Sequence, residues 1–225
     1  MNVQTSPFVD VIRVEPTRYA LIRRLGYVFR HHLVVNLQPL SMICQVMHHR
    51  LNAEPVDVSA MHNSVDQVSR LVRSSIDSCQ DVVSWLTADV QSMVAASVAV
   101  GECIANLRSS FSFRGFSIRY EEPSLDTVVS QIAVREVLTA ALIAATDQAN
   151  GLDEIVVTLL PTPGALEIAI QLRKGAKESS AEQDAYRLLD WNDVQMLAVA
   201  HGQQFSNVSD GFVKIRISDP ADTRQ

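Results

Sequence analysis

The sequence predicts an α+β protein: a long antiparallel helical hairpin followed by a small mixed domain of helices on one face of a mostly antiparallel sheet. Two observations carry this. Apolar residues recur at spacings of three and four in two long stretches before residue 92, and after it short β-rich runs alternate with shorter helical patterns. The boundary falls between residues 1–92 and 93–225, each long enough to bury its own core.

In the first stretch Ile22, Leu25, Phe29, Leu33, Leu37, Leu40, Cys44, Met47 and Leu51 draw one stripe along a helix starting near Glu15 to Thr17. Pro39 removes one backbone donor and bends the helix locally, but the stripe runs on past it. Asn52-Ala53-Glu54-Pro55 is a short connection, and a second stripe follows through Val58, Met61, Val65, Val68, Val72, Ile76, Cys79, Val83 and Leu86. Two helices of about 30 residues, or about 45 Å at 1.5 Å per residue, cannot enclose stripes this long alone. Pairing two hairpins into a four-helix bundle covers them, which predicts a homodimer.

Beyond Ala88 the pattern changes. Ser97 to Ser110 reads as a helix, Phe116 to Tyr120 as a strand, and Ser130 to Gln148 as a helix stopped by Asn150-Gly151. Ile155 to Leu160 and Leu166 to Leu172 flank Pro161-Thr162-Pro163-Gly164, a hairpin turn. Lys174 to Asp184 is polar and turn-like. Asp190 and Asp193 open the last helix, Gly202 closes it, and Gln204 to Val208 with Phe212 to Ile217 forms a second hairpin through Ser209-Asp210-Gly211. The tail from Asp219 reads as disordered.

Composition narrows the function. A formal charge of −6 argues against nonspecific nucleic-acid binding. The uncharged stretch Val90 to Gly101 is too short and polar for a membrane span, and Met1 to Asp10 lacks a secretory pattern. Cys44, Cys79 and Cys103 each sit in an apolar pattern, as buried thiols of a reducing cytoplasm do. No Cys/His cluster has metal-ligand spacing, and His48-His49 reads as a cationic helix end. His62 reads as a surface or flanking bundle residue, and Trp85 and Trp191 as packing anchors.

Three stretches, spread over residues 18 to 218, resemble the bacterial two-component histidine kinase core. Phe29 to Ile43 is similar to the phosphoacceptor region, Arg135 to Ala145 to the N-box helix, and Val194 to Phe205 to the helix and strand after the nucleotide lid. The resemblance implies a dimerisation and phosphotransfer hairpin and a Bergerat-type α/β sandwich. It implies a degenerate one, because the magnesium-holding asparagine falls at Ala144 or Ala140, and alanine has no ligating atom. Arg173-Lys174-Gly175 stands in place of the adenine-reading Asp-x-Gly-x-Gly, and Arg187 to Asp190 lacks the lid glycines. The implied protein uses no cofactor or metal and does not autophosphorylate from ATP. It is closest in kind to dimeric histidine phosphotransferases, which dock a response-regulator receiver domain in the cytoplasm.

The same resemblance points to His31 and His32 as phosphoacceptors, within Phe29-Arg30-His31-His32-Leu33-Val34-Val35-Asn36. His32 and Asn36 lie four apart on one side of the helix, repeating the family's spacing of a histidine and an orienting polar residue. His31 lies opposite the Phe29–Leu33 stripe and is the more exposed alternative. A competing register matches Pro39-Leu40 to the family's Pro-Leu and puts Val34 at the phosphoacceptor position, leaving no phosphate carrier there. His201-Gly202 reads as a structural cap. Arg18, Arg23, Arg24 and Arg30 make the start of the first helix basic, with no acid between Arg18 and Arg50. Arg23, Arg24 and Arg30 are then either a solvated face or a docking surface for an acidic receiver pocket. Two functions follow: a phosphoryl carrier, or a pseudo-kinase scaffold without chemistry.

Overall fold

A computed structural model describes residues 7–55, 57–87, 91–120, 125, 127–148, 152–174, 187–209 and 211–218, except the side chains at 7–13, 32, 36, 152–153, 174 and 209. The polar stretch after Lys174, the Asn150-Gly151 stop, Asp210 and the tail from Asp219 lie outside the described residues. So do the side chains of His32 and Asn36.

The chain divides into two units. One comprises Leu25–Ala88; the other combines the residues up to Arg24 with those from 89 onward. Thus the first helix, α1 (Pro7–Leu51), contributes its opening segment to the C-terminal unit and the rest to the hairpin. It begins before the predicted start and passes through Pro39 without interruption.

In the hairpin unit, α1 is followed by α2 (Val58–Leu86). Asp57 caps α2 by accepting from Ala60 N at 2.9 Å, which satisfies one of the free amides of the first turn. Phe29 and Trp85 pack with ring centroids 6.1 Å apart. Trp85 is therefore the packing anchor the sequence suggests.

The C-terminal unit holds β1 (Met93–Ala95), α3 (Ala96–Phe113), β2 (Ser117–Tyr120), β3 (Val128–Ser130), α4 (Gln131–Asp147), β4 (Leu152–Thr162), β5 (Ala165–Lys174), α5 (Trp191–Ala200), β6 (Gln204–Ser209) and β7 (Phe212–Ser218). A five-stranded sheet runs β2-β4-β5-β7-β6, and β1 and β3 form a separate antiparallel pair. Among the described residues only β2 and β4 pair in parallel; the other ladders are antiparallel. The parallel pair requires the chain to cross over between β2 and β4, and α4 is in that crossover.

Alternation puts Ile155, Val157 and Leu159 of β4, Leu166, Ile168 and Ile170 of β5, and Val213, Ile215 and Ile217 of β7 on the buried face. Each such Ile, Leu or Val contributes about 1.5–3 kcal/mol by leaving water. Polar pairs occupy alternate positions, among them Lys214–Glu167 at 2.7 Å and Arg173–Glu154 at 3.0 Å. At the turn into β7, Gly211 has φ +94, and a Cβ there would lie 2.9 Å from the Leu172 carbonyl oxygen, so only glycine fits.

α4 is the centre of the helical layer. Every residue from Ile132 to Thr146 except Glu136 is buried. A helix apolar on all sides must be covered on all sides. Its small residues Ala133, Ala140, Ala141, Ala144 and Ala145 let α3 and α5, its neighbours, approach closely. Cys103 is buried in this layer, and burial pushes its thiol up to about 12. Cys44 and Cys79 differ from expectation: both are exposed, because the helix faces that carry them meet no further element of the chain among the described residues.

Candidate functional site

The hairpin carries five of the six histidines. His31 is exposed on α1, as its position opposite the Phe29 stripe implies. Val34 and Val35, three and four residues on, share its side of the helix and are 50% and 51% exposed. Arg30 is exposed and lies over the Tyr27 ring at 5.4 Å; Arg23 lies over Tyr19 at 5.7 Å. His62 is exposed on α2, and His48 sits in the last turn of α1, where Asn52 Nδ2 donates to its carbonyl at 3.0 Å.

Between the two helices of the hairpin runs an apolar groove of about 660 Å³, lined by Leu37, Leu40, Val72, Ile76, Cys79 and Val83 among others. Beside it, Val58, Val65, Val72, Ile76, Val83 and Leu86 are exposed on α2 at spacings of seven, four and three. That is the spacing of a coiled-coil seam rather than of a solvated surface.

In the C-terminal unit, Ala140 and Ala144 are fully buried within the helical layer. Neither side chain has an atom that could hold a metal, and the space around them is filled by packing. Arg187, before α5, pairs with Asp193.

Three acids of this unit are met by donors from the opening segment of α1. Glu136 of α4 accepts from Arg18 Nε at 3.0 Å to both carboxylate oxygens, and His201 Nε2 lies 2.7 Å from Oε2. Burial alone would raise the Glu136 pKa, but the hydrogen bonds and charges of His201 and Arg18 outweigh it and hold the carboxyl below its ordinary value. Asp147, at the end of α4, pairs with Arg24 at 2.5 Å and Arg114 at 3.3 Å and accepts from Leu189 N at 3.1 Å. Asp193 of α5 accepts from the Thr17 hydroxyl at 2.9 Å and completes a capping box with Asp190.

These contacts correct the reading of Arg24. Its side chain is 6% exposed against Asp147, so it is spent inside the domain and is not a docking cation. His201 is the C-cap of α5, as expected, and also a partner of Glu136, which the sequence does not reveal. Among the described residues no group of three His, Cys, Asp or Glu side chains is placed to hold a metal, and no helix is long and apolar enough to cross a membrane.

No family model and no curated protein matches the chain. Solved structures do. The chain is similar to the Acinetobacter baumannii histidine kinase AdeS at 15% identity, over 81% of this chain and 98% of that one, with a TM-score of 0.45. It is similar to the catalytic domain of the histidine kinase ThkA at 12% identity, over 59% and 98%, with a TM-score of 0.43. A histidine kinase from Burkholderia phymatum matches at 14% identity, over 87% and 98%, with a TM-score of 0.42.

Proposed function

We propose that the protein is a dimeric phosphorelay component of the histidine phosphotransferase kind, exchanging phosphoryl groups with a receiver domain without using ATP. The observation that carries this reading is the pairing of an exposed His31 on a helical hairpin with a C-terminal unit in which the buried Ala140 and Ala144 offer no ligating side-chain atom. The apolar seam on α2 and the groove beside it support a second hairpin as their cover, which gives the homodimer.

In the transfer, an imidazole nitrogen of His31 or His32 attacks phosphorus of an aspartyl phosphate in line. A P–N bond forms as the P–O bond to the receiver carboxylate breaks, and the carboxylate leaves with the electron pair. Asn36 is the orienting group where His32 is the carrier. Arg23 and Arg30, exposed on α1, are the cations that would steer an acidic receiver. Incubation with a phosphorylated receiver tests this. Acid-labile label is expected on the wild type and absent from the His31→Ala, His32→Ala double variant. A receiver that keeps its phosphate while the wild type stays unlabelled excludes the carrier role.

The exposed Val34 favours a second reading, in which the hairpin docks a receiver or kinase as a scaffold without chemistry. In that case the double histidine variant retains both partner binding and signalling output.

A further inference from the structure

The opening segment of α1 is attached to the C-terminal unit in an uneven way. Val14, Thr17, Leu21 and Arg24 fall on one helix face at spacings of three and four, and all have nearly buried side chains. The polar contacts divide by sign. The segment supplies the donors Thr17, Arg18 and Arg24, and the domain supplies the acceptors Asp193, Glu136 and Asp147. On α4, Glu136 and Asp147 are eleven residues apart, three helical turns, and Ala140 and Ile143 lie between them on the same face. Both are buried.

The attachment works through side chains. Among the described residues its polar contacts with the domain run through side chains, and no strand ladder includes it. A segment held by long side chains and a few buried apolar groups can leave as a unit, because no shared backbone ladder breaks with it. Its departure would expose this face while leaving each carboxylate one partner inside the domain: His201 for Glu136, Arg114 for Asp147 and Arg187 for Asp193.

We propose that residues 14–24 form a releasable latch in cis, a helical segment that occupies the acidic α4–α5 face of its own C-terminal domain and can open while the domain stays folded. The latch does not depend on phosphoryl transfer, and it stands or falls separately from the proposed function. While seated, the segment closes the Ala140–Ile143 face to any other occupant. Once open, that face suits a basic amphipathic helix with the same donor spacing, and the chain's own segment is its resident occupant.

Hydrogen exchange on the full chain tests the latch in two variants, Arg24→Ala and the milder Thr17→Val, Arg18→Ala double. In at least one of them, amides of residues 14–24 are expected to exchange about tenfold faster or more, while amides of β5 and β7 stay within about twofold of wild type. A peptide spanning residues 12–26, added in trans to that variant, restores protection on α4 and α5. Exchange that rises in β5 and β7 together with the segment would show it to be ordinary core and overturn the proposal. So would unchanged exchange of the segment in both variants, or a folded variant that the peptide fails to protect.

Discussion

Arg24 and Asp147, 123 positions apart, form an ion pair at 2.5 Å whose carboxylate is fully buried. Asp147 has two further partners, Arg114 and Leu189 N, so it joins α1, α3, α4 and the approach to α5 at a single side chain.

Removing one partner of a buried pair leaves the other uncompensated. Asp147→Ala is therefore expected to destabilise the C-terminal unit by about 3–5 kcal/mol, whereas Arg24→Ala leaves Arg114 facing the carboxylate and is expected to cost far less in global unfolding, its effect falling on residues 14–24. Urea titration followed by Trp191 fluorescence measures both. Equal, small effects would show that the pair contributes little.

Acid should loosen the Glu136 contacts. The folded carboxyl lies below its unfolded value, so its contribution is fully present above about pH 4.3 and is lost as pH falls through the lower folded value. The charged groups facing it are Arg18 and His201, with Glu15 joined through Arg18. Glu136→Gln is expected to be about 1–2 kcal/mol less stable than wild type at pH 7, with the gap closing as pH falls below the ordinary glutamate range. A gap independent of pH would rule out the charge as its source.

Thr139 is the opposite case. Its hydroxyl is fully buried in α4 and meets no acceptor at hydrogen-bond distance among the described residues. It lies near enough to the Cys103 sulfur to favour a thiolate slightly, but burial keeps that thiol protonated. Thr139→Val keeps the shape and removes the orphan hydroxyl, so a gain of about 1 kcal/mol is expected in thermal or urea unfolding.

Thiol labelling reads the hairpin surface. In the native protein Cys44 and Cys79 should react with a maleimide while Cys103 stays protected until unfolding. Cys79 lines the apolar groove, so its labelling should slow several-fold at concentrations where the chain dimerises. Val72→Asp with Ile76→Asp should abolish both the slowing and the dimer, as seen by light scattering.

Local chemistry explains what was readable in the sequence. Asp190 and Asp193 announce the capping box of α5, Pro161 to Gly164 announce the β4–β5 turn, and the stripes announce α1 and α2. The three-residue strands β1 and β3 were not readable, because Met93↔Ser130 pairing gives them order that their own residues do not. The parallel pairing of β2 with β4 also leaves no local mark. The contacts of Thr17, Arg18 and Arg24 join residues more than a hundred positions apart, so a basic helix start looked like surface. The exposed Cys44 and Cys79 came from the same limit: an apolar stripe states that a face wants cover, without stating which chain supplies it.

Because Thr17 finds its acceptor 176 residues downstream, residues 14–24 cannot seat on the C-terminal domain until Asp193 has left the ribosome. At about 5–20 residues per second, that interval is roughly 10–35 s. Throughout it the segment around Thr17 has nowhere to settle. In newly made protein residues 14–24 thus wait open to chaperones, proteases and wrong neighbours, and a fragment expressed from residue 93 onward would lack that closing piece.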